Sequence, residues 1–415
     1  MSKTIPHHLH RFFQPNRHLS TTVTFTALDY TSKIPSKVGK LKVRILDSPS
    51  HFGHFTSRVN RLYNEDKYSA SLLTFNGSNY FNFSVFDGHG GDQCSKYLAE
   101  NLAQNIEDSD ELVKKKTLKD KLFKLYKDNL GSYWKRWYRH REDHVQEWTA
   151  SKLTLKNYPS DDLTMRLPLS FLDTDYKFFN RHEKSGSTAT SVFVQPMEGM
   201  KFFEEGVNIL TVAHVGDTRA ILVDREGLAH TLTSDHHPSN PIETRRLRKY
   251  GANFFMKDSF GEERVLALAN TRAFGDIDYK DLGITAEPDI SQYVIGDKAA
   301  VRSNLTSEEI AKHTVGGLGG DEAFIVLCSD GVTNVLTDQE IVDIVMVNVS
   351  NKGHAATPQK CAEEVIKFVE YVGGDDNATC LVIRLSGWGK WPTIDRTGEL
   401  RQARLTDFNP RGGRG

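Results

Sequence analysis

The sequence is poor in cysteine, in net charge and in long apolar runs, and each deficit removes a class of protein. Four cysteines, Cys94, Cys328, Cys361 and Cys380, serve 415 residues. None stands in a CxxC pair, and three lie in apolar runs or on apolar helix faces. That pattern fits reduced, buried thiols and argues against a disulfide framework. Charge nearly cancels, with 53 Lys+Arg against 54 Asp+Glu. No global field therefore draws the chain to nucleic acid or an anionic membrane, and recognition must rest on local sites. No stretch reaches the ~18 consecutive apolar residues of a membrane span.

Acid is missing from one end. No Asp or Glu precedes Asp29, whereas Lys3, Arg11 and Arg17 are basic and His, Ser and Thr are frequent. No apolar secretory core is present. A basic, hydroxyl-rich, acid-free start has the composition of a mitochondrial transit peptide, which assigns residues 1–28 to targeting and the protein to the matrix or intermembrane space. The alternative is a mildly basic disordered tail, and Pro6 and Pro15 interrupt any continuous amphipathic helix.

From about residue 40 the pattern becomes that of a folded α+β domain. Tyr80 to Phe86 alternates as a strand, with Phe81, Phe83 and Val85 on one face. Cys94, Tyr97, Leu98, Leu102 and Ile106 then recur at helical spacing. Asn208–Val215 and Arg219–Val223, separated by Gly216-Asp217, read as a hairpin. Asn240-Pro241 predicts a helix start, Thr337 and Glu340 form a capping-box pattern, and Thr357-Pro358 opens a further helix. Ala323–Cys328 is a continuous apolar run, and Ala378–Leu385 reads as the closing strand. Short turns between many strands favour two packed antiparallel sheets flanked by helices over alternating βαβ units.

This domain spans residues 40–386, with a helical insertion at about 108–166. Within the insertion, residues 114–148 are charged and carry Trp134, Trp137 and Trp148. Such clusters are favoured on interaction surfaces and could dock a partner; packing on the parent domain is the other reading. Residues 387–415 form a basic Arg/Gly-rich tail, with Trp388 and Trp391 placed to anchor its start.

Three aspartates occupy strand ends. Asp87 continues the Phe81–Val85 face inward, Asp330 ends the apolar run and Asp376 precedes the closing strand. Each alone is an ordinary turn residue, in Asp87-Gly88, Asp330-Gly331 and Asp376-Asn377. Together at one sheet edge they would repel each other unless a cation intervened. An all-oxygen donor set favours Mg²⁺ or Mn²⁺ over zinc.

The surrounding motifs resemble those of the type-2C (PPM) metal-dependent protein serine/threonine phosphatases. Arg61-Leu-Tyr-Asn-Glu65-Asp66 is similar to the family's first motif, and Asp87-Gly88-His89-Gly90-Gly91 to its DGHGG signature. The order continues through Ser185-Gly-Ser-Thr-Ala, Gly216-Asp217-Thr-Arg219, Thr233-Ser-Asp235-His236, Arg272-Ala-Phe-Gly275-Asp276, Ser329-Asp330-Gly331 and Asp376-Asn377. Eight motifs in sequence carry a specificity that no single DG dipeptide has.

The resemblance implies that Asp87 bridges two ions and Gly88 offers a carbonyl to one. It makes Asp330 and Asp376 ligands of the other, and Glu65 and Asp66 outer acids. The two ions would share a hydroxide that attacks phosphorus in line. Arg61 would hold the phosphate as a bidentate guanidinium, and His89 would protonate the leaving oxygen. Asp217 is implied as a contact of a weak third ion, the alternative being a simple turn residue. His236 and His237 are read as structural, and Asp276 as an orienting group with no step of its own. Asn334 departs from the family, many of whose members carry an acid there. Phosphoproteins are the implied substrates, with no nucleic acid as partner. Two competing classes remain: a catalytically dead fold used as a binding module, and a metal-dependent nuclease, for which no basic groove is visible outside the insertion.

Overall fold

The computed structural model describes residues 20–28, 35–150, 152–155, 162–197, 201–250, 255–257, 263–266, 268–393 and 397. Most of the expected targeting segment and of the basic tail lies outside these residues. Two compact units are present, residues 1–48 and 49–415. The first contains β1 (Ser20–Leu28) paired antiparallel with β2 (Pro35–Arg44). The compositional boundary at residue 28 thus coincides with the end of a strand, and the larger unit begins later than the residue-40 start expected from patterning.

The larger unit opens with β3 (Phe52–Ser57), β4 (Lys67–Phe75), β5 (Ser78–Phe86) and the short β6 (Gly88–His89). Helices α1 (Gln93–Glu107), α2 (Asp110–Lys114), α3 (Lys116–Asn129), α4 (Gly131–Arg139), α5 (Arg141–Ala150) and α6 (Leu163–Phe179) follow. Next come β7 (Gly186–Ser187), β8 (Ala189–Pro196), β9 (Val207–Val215), β10 (Arg219–Val223), β11 (Ala229–Thr231) and α7 (Pro241–Lys249). After β12 (Phe255–Lys257), β13 (Glu263–Val265) and β14 (Phe274–Gly275), the chain forms β15 (Asp289–Gly296), α8 (Lys298–Asn304) and α9 (Ser307–His313). It closes with β16 (Phe324–Cys328), α10 (Asp330–Thr333), α11 (Asp338–Lys352), α12 (Pro358–Tyr371) and β17 (Ala378–Arg384).

The strands build two five-stranded sheets in the orders β11-β10-β16-β17-β3 and β15-β9-β8-β5-β4, with every pairing antiparallel. Side-chain alternation assigns each strand two buried faces. Outward, Val326, Cys328 and Val382 pack under Val345, Val365 and Val369 of α11 and α12. On the other sheet Phe86, Phe193 and Ala213 pack under Leu98, Leu167 and Phe171 of α1 and α6. Inward, Phe81, Phe83 and Val85 face Ile325, Leu327, Leu381 and Ile383, all buried, and the Phe52 and Phe83 rings meet at 4.9 Å. The expected α+β sandwich flanked by helices is the fold.

Local signals hold where they rest on caps. Asn240 Oδ1 accepts the Ile242 N–H at the start of α7, and Thr337 and Glu340 close a reciprocal box on α11. The hairpin expected over residues 208–223 does not form. β9 pairs with β8 and β15, whereas β10 pairs with β11 and β16 in the opposite sheet. Both runs are apolar throughout, so periodicity could not choose their partners. The crossing carries Asp217 to the edge shared by the two sheets.

The insertion is helical, and its aromatic residues face inward. Trp134 and Trp137 are 1% exposed and Trp148 is 7% exposed. They join Phe123, Tyr126, Leu169, Leu172 and Tyr250 in one core cluster. These tryptophans pack on their own domain and are unavailable as exposed docking anchors. Trp388 and Trp391 both pack on Phe324 with centroids 5.5 Å away, fixing the start of the tail as expected.

Candidate active site

Strand ends of both sheets deliver acids to one place. Asp87 follows the inward face of β5, Asp330 follows β16 across Ser329, and Asp376 precedes β17. They line a cleft of about 860 Å³ together with Arg61, Glu65, Gly88, His89 and Asp217. Asp66 lies behind the cleft wall, 2% exposed. Its Oδ2 accepts from Ser329 Oγ at 2.6 Å and Thr379 Oγ1 at 2.7 Å, whereas its Oδ1 has no protein partner. All nine residues singled out in the sequence therefore meet in or just behind one cleft.

The carboxylates perturb one another. Burial raises Asp87 well above the ordinary carboxylate range, and the charges of Asp66, Asp330 and Asp217 push it further. Burial likewise raises Asp330 to about 7, with Asp217, Asp376 and Asp66 adding to it and a bond to Asp87 opposing. Asp66 rises to about 6 through burial, restrained by its Ser329 and Thr379 bonds. Among the described residues, no three acid, His or Cys side chains are drawn together as a ready-made metal site. Buried, mutually repelling carboxylates with an orphan oxygen fit hard divalent cations such as Mg²⁺ or Mn²⁺, which would replace the protons that burial and repulsion favour.

Neighbouring groups fix this constellation. Glu65 Oε1 accepts the Gly91 N–H at 2.6 Å, and the Glu65 N–H donates to Asn377 Oδ1 at 2.8 Å. Arg61 stands at the cleft edge, with Nη2 on Asp376 Oδ2 at 2.8 Å and Nε on the Asp375 carbonyl at 3.0 Å. A guanidinium has five N–H donors, so these two bonds leave capacity for a phosphate. Asn334 lines the cleft and its amide nitrogen donates to Asp330 Oδ2 at 3.1 Å.

His89 reveals a partner that sequence reasoning had given no step. Its Nε2 lies 2.8 Å from Asp276 Oδ2, with the imidazole 36% and the carboxylate 5% exposed. Burial alone would lower the His89 pKa. The bond and charge of Asp276, helped by Asp217 and Glu65, outweigh it and raise the imidazole above its usual value. Gly186 makes room for the pair, because a Cβ there would fall 2.3 Å from both Asp276 Oδ2 and His89 Nε2. The short strands β14, β7 and β6 bring the two residues together across one small sheet. Nothing in local patterning announces a pairing over 187 positions.

The two adjacent histidines diverge. His236 is buried, its Nδ1 accepting the Gly216 N–H and its Nε2 meeting Asp289 at 3.0 Å, as a structural residue would. His237 instead lines the cleft and meets Asp217 Oδ2 at 3.0 Å. Burial raises Asp217, but the His237 bond and charge, with an Asn270 bond, bring it below its ordinary value. The His237 side chain lies on the cleft wall, because successive residues of an extended segment face opposite ways.

Comparison with known proteins supplies an independent view of this site. The profile of the family "Protein phosphatase 2C" matches residues 114–378. The chain is 33% identical over 392 residues to "Protein phosphatase 2C homolog 4" of Schizosaccharomyces pombe, covering 91% of both chains. It is 27% identical to "Protein phosphatase 1K, mitochondrial" of Xenopus laevis, covering 85% of this chain and 72% of that one. "Probable protein phosphatase 2C member 13, mitochondrial" of rice is 25% identical over 80% of this chain and 67% of its own length. Among solved structures, a phosphatase of Toxoplasma gondii superposes with a TM-score of 0.52 at 18% identity, covering 80% and 92% of the two chains. That likeness concerns the fold.

Proposed function

The chain belongs to the protein phosphatase 2C family, and from that membership we propose that it hydrolyses phosphoserine and phosphothreonine in mitochondrial proteins through a Mg²⁺- or Mn²⁺-dependent site. The observation that carries this reading is the convergence of Asp87, Asp330 and Asp376 with the His89–Asp276 pair in one cleft. A binding module would not need a buried, self-repelling acid cluster beside a carboxylate-held imidazole.

Asp87, the Gly88 carbonyl, Asp330 and Asp376 would hold two divalent ions, with Glu65 and Asp66 as outer acids and Asp217 contacting a weak third. Such ions would supply charge neutralisation for the phosphoryl group and an acidified water for attack on phosphorus. Arg61 binds the phosphate by exchanging part of its Asp376 contact for phosphoryl oxygens. With Nε2 held by Asp276, His89 gives the proton of its other ring nitrogen, Nδ1, to the departing serine or threonine oxygen, which leaves poorly without one. Asp276 holds the imidazole in orientation and favours its protonated form.

The mitochondrial assignment is supported by the acid-free N-terminal composition and by two relatives whose names carry that word. Purified full-length protein should release phosphate from phosphoserine and phosphothreonine peptides with added Mn²⁺ and lose that activity in a chelator. Absence of turnover with intact fold would favour the binding-module reading, and cleavage of nucleic acid would revive the nuclease. Fractionation of cells expressing the full chain tests the compartment, and a cytosolic pool alone would refute it.

A further inference from the structure

A buried ion pair, remote from the cleft, grips the turn that presents Asp276. Asp175 on α6 and Lys280 are both 0% exposed, with Asp175 Oδ2 and Lys280 Nζ 2.8 Å apart. Neither contacts the acid cluster, and nothing in the phosphatase chemistry uses them directly. A wholly buried pair is seldom a net source of stability, since two desolvated charges must repay each other. Its presence therefore asks for another role.

The hydrogen bonds indicate one. Asp175 Oδ1 accepts the Gly275 N–H at 2.8 Å, while Lys280 Nζ donates to the Ala273 carbonyl at 2.7 Å. The pair thus holds the backbone on both sides of Phe274, two residues before Asp276. That backbone is unusual, with Gly275 at φ 69° and Asp276 at φ 50°. A left-handed conformation at a non-glycine residue persists only where its surroundings fix it. At Gly275 a Cβ would lie 2.2 Å from the Ser185 carbonyl, so the turn is pressed against the strand that also seats His89. A third contact ties in the insertion: the single hydroxyl proton of Tyr126 on α3 is shared between the Leu172 carbonyl at 2.7 Å and Asp175 Oδ2 at 3.0 Å.

We propose that Asp175 and Lys280 are positioning residues for the catalytic imidazole, and that Tyr126 links the helical insertion to them. The chain of contact runs from Tyr126 to Asp175, through the Gly275 amide to the Asp276 turn, and from Asp276 to His89. The insertion thereby acts on chemistry through the proton donor, independently of any substrate contact of its own. This inference rests on the general-acid reading of His89. Misplacement of such a group by about 1 Å costs on the order of 100-fold in rate.

The test uses the full-length protein with Mn²⁺ and two substrates, a phosphoserine peptide and 4-nitrophenyl phosphate, whose aryl oxide leaves without protonation. Asp175→Asn and Lys280→Met remove the pair; Tyr126→Phe keeps it and removes one bond. We expect kcat on the peptide to fall roughly 10- to 100-fold for Asp175→Asn, a few-fold for Tyr126→Phe, with KM little changed. Turnover of the aryl phosphate should stay within about twofold of wild type. Hydrogen exchange read on the 273–280 segment should accelerate in Asp175→Asn, and in Tyr126→Phe to a smaller extent, while the strands β5 and β16 remain protected. Tyr126→Phe keeps the inference falsifiable if the charge variants do not fold. Equal losses on both substrates, or unchanged exchange at 273–280, would overturn it. His89→Ala runs in parallel: if it spares the aryl phosphate and Asp175→Asn does not, the positioning role fails alone. If His89→Ala itself loses both substrates equally, the general-acid reading fails and takes the catalytic half of this inference with it.

Discussion

With divalent cations chelated, the acid cluster's own contribution to stability should fall as pH rises. In the unfolded chain Asp330 titrates near 3.8, and in the folded cluster near about 7. Between those values the native state binds the extra proton, so the slope of stability with pH is negative. At 1.36 kcal/mol for each tenfold, Asp330 alone removes roughly 3 kcal/mol between pH 5 and pH 8. Asp66, raised to about 6, removes roughly 1 kcal/mol over the same window. Asp87, raised further, acts in the same direction. For a domain of this size each kcal/mol moves the melting temperature by about 2 °C. On these shifts the cluster lowers the chelated protein's melting temperature by on the order of 8 °C between pH 5 and pH 8. Half-buried His51 and buried His214, lowered to about 4 and about 3, act the other way, and Glu322, raised to about 7, acts with the cluster, so the difference between wild type and Asp330→Asn isolates the cluster. Mn²⁺ should abolish or reverse the cluster's effect, because cations displace the protons and bind only the native state. The assay is thermal melting at pH 5 and 8, in EDTA and in millimolar Mn²⁺, for wild type and Asp330→Asn. The variant should melt above wild type at pH 8 in EDTA and show a shallower slope. An Asp330→Asn slope that overlays wild type in EDTA refutes the reasoning.

Three further outcomes follow from named contacts. His89→Ala should lower peptide turnover by about 100-fold or more while costing the aryl phosphate far less; steady-state kinetics on both substrates decides, and equal losses would rule out proton donation. Asn334→Asp replaces a donor to Asp330 with a charge beside the cluster, so the activating Mn²⁺ concentration should fall. A metal titration of activity that overlays wild type would return Asn334 to the status of a turn residue. Trp137→Ala empties the centre of the insertion's aromatic cluster and should cost about 3–5 kcal/mol, read as a lowered denaturant midpoint. A change under about 1 kcal/mol would mean that this core is not packed as described.

How far the sequence reached depended on the range of each interaction. Asn240, Thr337 and Thr357 cap helices through bonds spanning two or three residues, so their roles are legible from spacing. Asp87 could be aimed inward because strand alternation has a period of two, and the two-residue extension from Val85 preserves it. The acids could be gathered into one site because three of them end or begin buried strands, and buried like charges demand a cation. Where runs were apolar on both faces, as in β9 and β10, alternation lost its information and the strand partners had to come from tertiary packing. The tryptophans of residues 114–148 were ambiguous for a related reason. An aromatic residue suits an interface and a core equally, and only the packing of α3 to α6 turned them inward. Composition, periodicity and motif order thus determined the fold class and the general placement of Asp87, Asp330 and Asp376. Only the tertiary structure joined His89 to Asp276 and Asp175 to Gly275, since those bonds close across about 100 residues or more. Their energy depends on geometry at 3 Å, which no local pattern encodes.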